Sequence, residues 1–191
     1  MDFTKSNYYQ QKFTKITLSK ETIKEVEFEG CEFNECSFVD CKLEKCSFIN
    51  CKFNGCMVSA INPLNSRFVE ISFSNSKVIG FDWTKTQHIQ EICFENCQIN
   101  YSNFRMLKLS KIKMVNCEAK EVDFTETDLS DGVFTNTDFE RSIFSKTNLV
   151  KANFKGARNY YIDVRSNTVK KAHFSLPEAL SLLDSLDVVI D

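Results

Sequence analysis

The nine cysteines of this 191-residue chain are the residues best suited to chemistry, because thiolates bind zinc and form disulfides. Six of them recur at every fifth position, namely Cys31, Cys36, Cys41, Cys46, Cys51 and Cys56. A zinc site needs ligands that converge from separate loops, whereas a uniform spacing puts successive thiols on successive faces of a repeating structure. We therefore expect reduced thiols that pack as small apolar side chains, with no metal site and no cofactor.

The other candidates for catalysis are two histidines and the carboxylates. His88 and His173 do not accompany a nucleophile in any known constellation, and the five glycines form no phosphate-binding loop. The carboxylates recur at regular intervals, which is typical of a solvated outer surface. The sequence predicts no catalytic residues and a protein that is not an enzyme.

A five-residue hydrophobic repeat organises most of the chain. One register starts at Ile23 and continues through Phe28, Phe33, Phe38, Leu43, Phe48, Phe53, Val58, Pro63, Phe68, Phe73, Val78 and Trp83. The count slips by one residue near positions 84–93. A second register then runs from Phe94 to Phe154 and continues, with gaps, to Val164, Val169 and Phe174. We predict a repeat domain over residues 1–174 and a capping and dimerisation segment over residues 175–191.

A period of five is explained by a square coil. Residues two apart on an extended segment point the same way, so a small residue and a large one can face a common interior. The other three residues face solvent and turn the chain. Four such units close one coil of twenty residues, and the next coil stacks on it at the strand spacing of ~4.8 Å. Cys31 then lies over Cys51, and Cys36 over Cys56, with parallel Cβ directions that suit disulfides poorly. The predicted fold is an all-β solenoid.

Composition and charge exclude several classes of protein. The net charge is -2 and the pI is about 5.8, which does not suit a general binder of nucleic acid or of membrane surfaces. Phosphate contacts need clustered lysine and arginine, and the chain has no basic arm. No apolar run approaches the ~20 residues that span a bilayer, and the N-terminus does not have the pattern of a signal peptide. We expect a cytoplasmic protein.

Several stretches resemble the pentapeptide-repeat proteins. They include VDFTETDLS and TNTDFERSIFSKTNLVKANFKGA, and the motif covers most of the chain from Ile23 to Phe154. Two further stretches, RFVEISFSNSKVIGFDWT and the C-terminal segment from ARNYYIDVRSN onward, are similar to the albicidin-resistance and, more loosely, the quinolone-resistance members. The resemblance implies a right-handed quadrilateral β-helix with a short C-terminal α-helix.

The resemblance also implies a function. Members of that narrower group bind DNA gyrase or topoisomerase IV as homodimeric rods that imitate duplex DNA, and so protect the enzyme from a poison. The alternative is a structural or scaffold repeat protein with an unrelated protein partner. A third possibility, a protein that sequesters a small molecule, needs a cavity that a packed phenylalanine axis does not leave.

An acidic band is the predicted topoisomerase-binding site. Its carboxylates are Glu118, Glu121, Asp123, Glu126, Asp128, Asp131, Asp138 and Glu140. Glu118 and Asp138 are one coil apart, so their charges stack at the strand spacing of ~5 Å, whereas DNA carries a phosphate charge about every 1.7 Å. A basic DNA-binding saddle would still be attracted to such a surface. The alternative is a solubilising exterior, and lysines such as Lys111 and Lys146 interrupt the field.

The slip in the repeat count predicts a second contact site, a small outward loop made of Lys85, Thr86, Gln87, His88, Ile89 and Gln90. In the quinolone-resistance relatives, larger loops that project from the rod contribute to protection. The alternative is a β-bulge that only restores the register of the coil.

The C-terminus predicts a helix that mediates dimerisation. Ser175, Pro177 and Glu178 match a capping box with proline in the first turn. A helix of about ten residues is marginal alone and has to dock on another surface. We predict a homodimer whose interface contains Leu176, Leu180, Leu183, Leu186, Val188 and Ile190. The alternative is that this segment packs on its own chain as a cap, which a solenoid needs in any case.

Overall fold

The computed structural model describes residues 3, 5–186 and 188, and it is a parallel β-solenoid of about eight turns. The predicted fold class is confirmed. The strands are β1 (Asn7–Tyr9), β2 (Lys12–Thr14), β3 (Thr17–Ser19), β4 (Thr22–Lys24), β5 (Glu27–Glu29), β6 (Glu32–Asn34), β7 (Ser37–Val39), β8 (Lys42–Glu44), β9 (Ser47–Ile49), β10 (Lys52–Asn54), β11 (Met57–Ser59), β12 (Arg67–Ser74), β13 (Lys77–Ile79), β14 (His88–Glu95), β15 (Lys113–Val115), β16 (Asn153–Phe154) and β17 (His173–Phe174).

Each strand pairs in parallel with a strand one coil away, which is twenty residues along the chain except between β12 and β14, where it is twenty-one. Phe28 pairs with Phe48 on what we call the first face, and Phe33 pairs with Phe53 on the second face. The third face carries β3, β7, β11 and β13, and the fourth face carries β4 and β8. Strands β12 and β14 are longer, because each continues from the first face across a corner onto the second. Beyond β15 the coils are joined mainly by single bridges at the same spacing.

Aromatic rings fill the axis of the solenoid. The rings of Phe33 and Phe53 stack with centroids 4.6 Å apart, and Phe53 stacks on Phe73 at 4.8 Å. Trp83 is fully buried and lies between the rings of Phe81 and Phe104, at 3.8 Å and 5.7 Å. The large inward residue of every unit in the first register is therefore a core residue, as the five-residue period predicts.

The corners depend on left-handed backbone. A residue with φ between +48° and +65° stands at the corner that follows almost every unit, and most of these residues are not glycine. In the first coils the corners are open bends, whereas in the later coils a backbone bond closes a turn, as from the Thr127 N–H to the Phe124 carbonyl at 3.2 Å. The left-handed residue in that turn is Glu126, at the third position, as in a type II turn.

The coil that contains the slip in the repeat count has one additional residue. Arg67 pairs with Ser47 twenty residues before it but with His88 twenty-one residues after it. The additional residue is absorbed in a 3₁₀ turn, η1 (Trp83–Lys85), which Asp82 caps by accepting a bond from the Thr84 N–H at 3.3 Å.

The C-terminal helix is of the 3₁₀ type rather than the predicted α type, and it is divided into η2 (Glu178–Leu182) and η3 (Asp184–Leu186). The predicted capping box is wrong, because the Ser175 hydroxyl accepts a bond from the Gly156 N–H at 2.8 Å and does not cap the helix.

The repeat also departs from the predicted register just before this segment. Ile162 is fully buried and pairs with Phe144, whereas Val164 is half-buried.

Candidate functional site

The predicted acidic band winds around the rod and does not lie on a single face. Glu118 and Asp138 pair across coils on the third face, whereas Asp123 belongs to the fourth face and Asp128 to the first. Three more of its carboxylates stand at three successive corners, namely Glu121, Glu126 and Asp131. The band is therefore a belt around one coil, and only part of it faces any one direction.

Most carboxylates of the belt are paired with a cation one coil away. Four of these ion pairs lie at the surface: Glu121 with Arg141 at 3.7 Å, Glu126 with Lys146 at 3.5 Å, Asp131 with Lys151 at 3.8 Å and Asp123 with Arg105 at 3.5 Å. Asp128 accepts a bond from the Asn148 amide at 2.8 Å, and Glu118 accepts a longer one from Gln98 at 3.4 Å. Exposed pairs contribute ~0–1 kcal/mol each, but they remove much of the negative field that a basic partner would meet.

Asp138 is the most buried carboxylate of the belt, with 7% of its side chain exposed. It accepts bonds from the Asn159 amide at 2.8 Å and from the Glu140 N–H at 3.1 Å, and it lies 3.4 Å from Arg158. Burial alone would raise the pKa of Asp138, but these hydrogen bonds together with the charges of Arg158 and Lys120 lower it. Lys120 lies 2.9 Å from Glu140 and 3.7 Å from Asp138, and the hydrogen bond to Glu140 raises the pKa of the lysine. Asp138 and Lys120 therefore both stay charged at neutral pH.

The pairing follows from a layered charge distribution. Residues 121–140 contain seven carboxylates and no lysine or arginine, and residues 141–160 contain five cations and no carboxylate. A second acidic layer over residues 21–40 has seven carboxylates and one lysine, and Lys12–Glu32, Lys15–Glu35 and Lys45–Glu25 ion pairs join it to its neighbours. Sequence reasoning missed this second layer, although counting charges in blocks of twenty reveals it.

The predicted loop is small and closely tied to the solenoid. Lys85 ends the 3₁₀ turn η1, and the Thr86 hydroxyl donates to the Trp83 carbonyl at 2.7 Å. His88 and Gln90 already belong to β14 and pair with β12. The geometry is that of a bulge that takes up one residue, and it projects no long segment from the rod.

The predicted dimer residues form an apolar surface at the C-terminal end. Leu176 is 76% exposed, Leu180 is 46% exposed and Val188 is 51% exposed. Leu186 is also exposed and Leu183 is half-buried, whereas Leu182 packs against the core. Ile190 lies outside the described residues. The segment therefore uses one side to close the solenoid and leaves a second apolar side uncovered.

The model of the pentapeptide repeat region matches residues 21–104 and 87–164. The chain belongs to the pentapeptide-repeat family. A comparison with curated proteins gives no significant match. Among the solved pentapeptide-repeat and quinolone-resistance structures, a trypsin-treated form of QnrB1, a plasmid-mediated fluoroquinolone resistance protein, is 17% identical, with a TM-score of 0.39 over 94% of this chain and 100% of that one.

Two cyanobacterial pentapeptide-repeat proteins are similar at lower identity. HetL of Nostoc sp. strain PCC 7120, involved in the regulation of heterocyst differentiation, is 14% identical, with a TM-score of 0.30 over 88% of this chain and 89% of that one. Rfr23 of Cyanothece 51142 is 13% identical, with a TM-score of 0.31 over 73% of this chain and 91% of that one.

Six cysteines of this pentapeptide-repeat chain form rungs, because each thiol donates to a carbonyl of the preceding coil: Cys31, Cys36, Cys46, Cys51, Cys56 and Cys117. The Cys51 thiol donates to the Phe28 carbonyl at 3.3 Å, and Thr127 makes the equivalent bond to Phe104 at 2.8 Å. All nine thiols are free, and no three potential metal ligands converge in the described part of the chain. Sequence reasoning missed a third stacked pair, Cys97 with Cys117, in which the shared hydrogen bond and burial raise the pKa of the Cys117 thiol.

Burial controls the reactivity of the rungs. It raises the pKa of Cys51 to about 12 and that of Cys56 to about 11, so both remain neutral thiols near pH 7. A neutral, inaccessible thiol is neither a nucleophile nor a metal ligand. The rungs are therefore structural.

In the described residues, no helix is both long and apolar enough to cross a bilayer.

Proposed function

We propose that the chain is a non-enzymatic rod that binds a type II topoisomerase, DNA gyrase or topoisomerase IV, in place of DNA and so relieves a toxin or antibiotic. The observation that carries the proposal is the carboxylate belt at residues 118–140, which encircles a rigid, regular rod. Glu121 and Glu140 keep 44% and 45% of their side chains exposed and are available to a basic surface. Such a partner would place the protein in the cytoplasm.

The geometry sets the strength of this interaction. Carboxylates one coil apart have the strand spacing of ~4.8 Å, against ~1.7 Å per phosphate charge along duplex DNA. Most belt carboxylates also form an ion pair with a cation one coil away, which reduces the net negative charge of the belt surface. The charge density is well below that of DNA, so the binding should be weak and should fall steeply as salt is added.

The second candidate is a scaffold protein with an unrelated partner. The same cross-coil ion pairs favour it, because paired carboxylates serve the solenoid itself by selecting the correct stacking of its coils. In that case the belt is structural and no topoisomerase is bound.

The uncovered apolar surface at the C-terminal end supports the first candidate. A two-fold dimer would cover the apolar side of Leu176, Leu180 and Val188, which the chain itself leaves exposed. It would also produce a rod twice as long, with a belt on each half, which suits a partner that holds an extended duplex.

A gyrase supercoiling assay, with and without a quinolone or albicidin, tests the proposal. We expect inhibition, or rescue from the poison, and a loss of that effect in the double variant Glu121→Gln and Glu126→Gln. The matched control is Glu70→Gln with Glu91→Gln, which removes two corner carboxylates outside the belt. No effect of the unaltered protein on either topoisomerase would reject the first candidate and leave the scaffold, whose partner can be isolated by pull-down.

A further inference from the structure

The backbone ladder of the first face opens between β14 and the coil that follows it. At the corners that end this face, the N–H group normally donates to a carbonyl of the next coil. The Asn50 N–H donates to the Val69 carbonyl at 2.9 Å, and the Lys111 N–H donates to the Ser130 carbonyl at 2.8 Å. The equivalent N–H of Glu91 makes no such bond to any described residue. The corner of β14 is therefore not joined to the next coil.

The strand positions beside this corner are open in the same way. In the following coils, the Leu109 N–H donates to the Asp128 carbonyl at 2.8 Å, and the Asp128 N–H donates to the Leu107 carbonyl at 2.9 Å. One coil earlier, the corresponding N–H groups belong to Ile89 and Lys108, and neither makes a bond between coils within the part of the chain that the structure describes. Both walls of this gap thus have backbone donors without a partner.

The core is also less completely covered at the gap. The inward residues of the first face in the three preceding coils, Phe28, Phe48 and Phe68, are buried. Ile89 pairs with Phe68 but is only half-buried, and Leu107, at the small inward position of the next coil, is half-buried as well. The gap therefore leaves apolar side chains of the axis partly accessible.

Two cavities lie between the same two coils, one at each end of the first face. The larger, of about 670 Å³, lies at the corner toward the second face and is lined by residues 90–93 and 108–113. The smaller, of about 510 Å³, lies at the corner toward the fourth face, where Thr84 faces Asn103, Arg105, Met106 and Leu107. The gap therefore extends from one corner of the first face to the other, which is the length of a short strand.

The rim of the larger cavity is basic. Lys108, Lys111 and Lys113 line it, and none of the three makes an ion pair with a described residue. Glu91 supplies the only carboxylate among the lining residues, and it accepts a bond from the Gln90 amide at 3.2 Å. Corner carboxylates of the belt pair with the cation one coil away, but Glu91 and Lys111, at the same separation, do not. The lysines are therefore available to an acidic partner.

We propose that this gap binds an extended acidic peptide segment of a partner protein, which pairs as an additional β-strand between the two coils. Unpaired strand edges recruit peptides in this way, and here the N–H groups of Ile89 and Lys108 offer donors from opposite walls. Because side chains alternate along a strand, one residue of the peptide points inward between Ile89 and Leu109, and its neighbours point outward near the lysines. The segment that fits is an apolar residue flanked by aspartate or glutamate. The site lies outside the acidic belt and does not depend on the topoisomerase proposal.

The binding test uses a labelled, end-capped peptide of sequence Ser-Glu-Val-Glu-Ser, titrated with the full chain and followed by fluorescence anisotropy. We expect saturable binding of one peptide per chain. The same peptide with a methyl group on the valine nitrogen keeps its charges but has lost a backbone donor, and it should bind about tenfold more weakly. A peptide with lysine in place of both glutamates should not bind.

Hydrogen exchange locates the peptide. In the free protein, the amides of Ile89, Glu91 and Lys108 should exchange rapidly, whereas those of Leu109 and Lys111, which are bonded to the next coil, should be protected. Addition of the peptide should slow exchange in the first group and leave the second group unchanged.

The charge contribution is tested with Lys108→Gln combined with Lys111→Gln, which should weaken binding about fivefold. The matched control is Lys52→Gln with Lys77→Gln, which removes two exposed lysines on other faces and should leave binding unchanged. Equal losses in the two double variants would overturn the proposal, because the effect would then be one of net charge. It is also overturned if no peptide saturates below about 1 mM, if the methylated peptide binds as tightly as its parent, or if Ile89 and Glu91 exchange as slowly as Lys111 in the free protein.

Discussion

The ring of Phe134 lies directly against the α-carbon of Gly132. A β-carbon added at Gly132 would be 2.7 Å from two atoms of that ring and 2.8 Å from the Leu129 carbonyl oxygen. Other coils have cysteine, serine or threonine at the equivalent small position, as at Cys51 or Thr127. Here the fully buried ring of Phe134 occupies the space that such a side chain would need.

Replacement of Gly132 by alanine should therefore overpack the core. We expect a loss of ~1–3 kcal/mol in the free energy of unfolding, measured by urea denaturation. Adding Phe134→Leu should recover part of the loss, because a smaller side chain vacates the space. Gly80→Ala is the control, since a β-carbon there meets nothing within 4 Å and the cost is only that of left-handed backbone. If Gly132→Ala is neutral, the ring does not have the position described.

The thiols should differ sharply in accessibility. Eight cysteines are buried, and Cys93 alone is partly exposed. We expect a disulfide reagent such as Ellman's reagent to label about one thiol per native chain near neutral pH and all nine in denaturant. Cys93→Ser should abolish the fast phase. Rapid labelling of several thiols in the native protein would contradict the rung arrangement.

Alkaline pH should weaken the fold. Burial raises the pKa of Cys51 from 9.0 to about 12, so the native state keeps a proton that the unfolded chain releases. The stabilisation is complete below pH 9 and is lost as the pH rises from 9 toward 12. The urea midpoint should therefore fall between pH 8 and pH 10.5 under reducing conditions. Cys51→Thr keeps the hydrogen bond to Phe28 but cannot ionise, so it should reduce the slope, and an unchanged slope would argue against thiol ionisation as the cause.

The five-residue period was sufficient to predict which side chains fill the core as far as Phe154. Phe33 and Phe53 stack as expected, because every unit repeats the same pair of inward positions. The cross-coil ion pairs could also have been read from the sequence, since Glu121 and Arg141 are separated by the twenty residues of one coil. Predicting these ion pairs requires comparing the charges of residues that lie twenty positions apart along the chain.

Two predictions near the C-terminus, the capping box at Ser175 and the core position of Val164, were wrong because a tertiary contact prevailed over a local pattern. Ser175 matches a helix cap in sequence, but its hydroxyl oxygen instead accepts a hydrogen bond from the Gly156 N–H of the preceding coil. Ile162 likewise replaces Val164 in the core. Phe144 pairs with Ile162, which is eighteen residues along the chain, so this coil is two residues shorter than the usual twenty. Local patterns do not report such contacts between coils.

Asp138 should matter far more to stability than the exposed carboxylates of the belt. Asp138→Ala leaves the Asn159 amide and the Glu140 N–H without their acceptor, and we expect a cost of ~1–3 kcal/mol. Asp131→Ala removes an exposed ion pair with Lys151 and should cost less than ~0.5 kcal/mol. Because the pKa of Asp138 is lowered in the native state, its contribution is present at neutral pH and is lost as acid protonates it. Equal losses in the two variants, measured by urea denaturation at pH 7, would show that Asp138 is not held as described.

The apolar surface at the C-terminal end should decide the oligomeric state. Leu180→Asp with Leu183→Asp places two charges on the uncovered side of the segment and leaves Leu182, which packs on the core, unchanged. Burying those charges between two chains would cost far more than the contact returns. Sedimentation equilibrium should therefore show a dimer for the unaltered protein and a 22.1 kDa monomer for the variant. Met106→Asp, at an exposed corner remote from this segment, is the matched control and should remain dimeric. A monomer in the unaltered protein, or a dimer that persists in the double variant, would mean that the segment serves only to close its own solenoid.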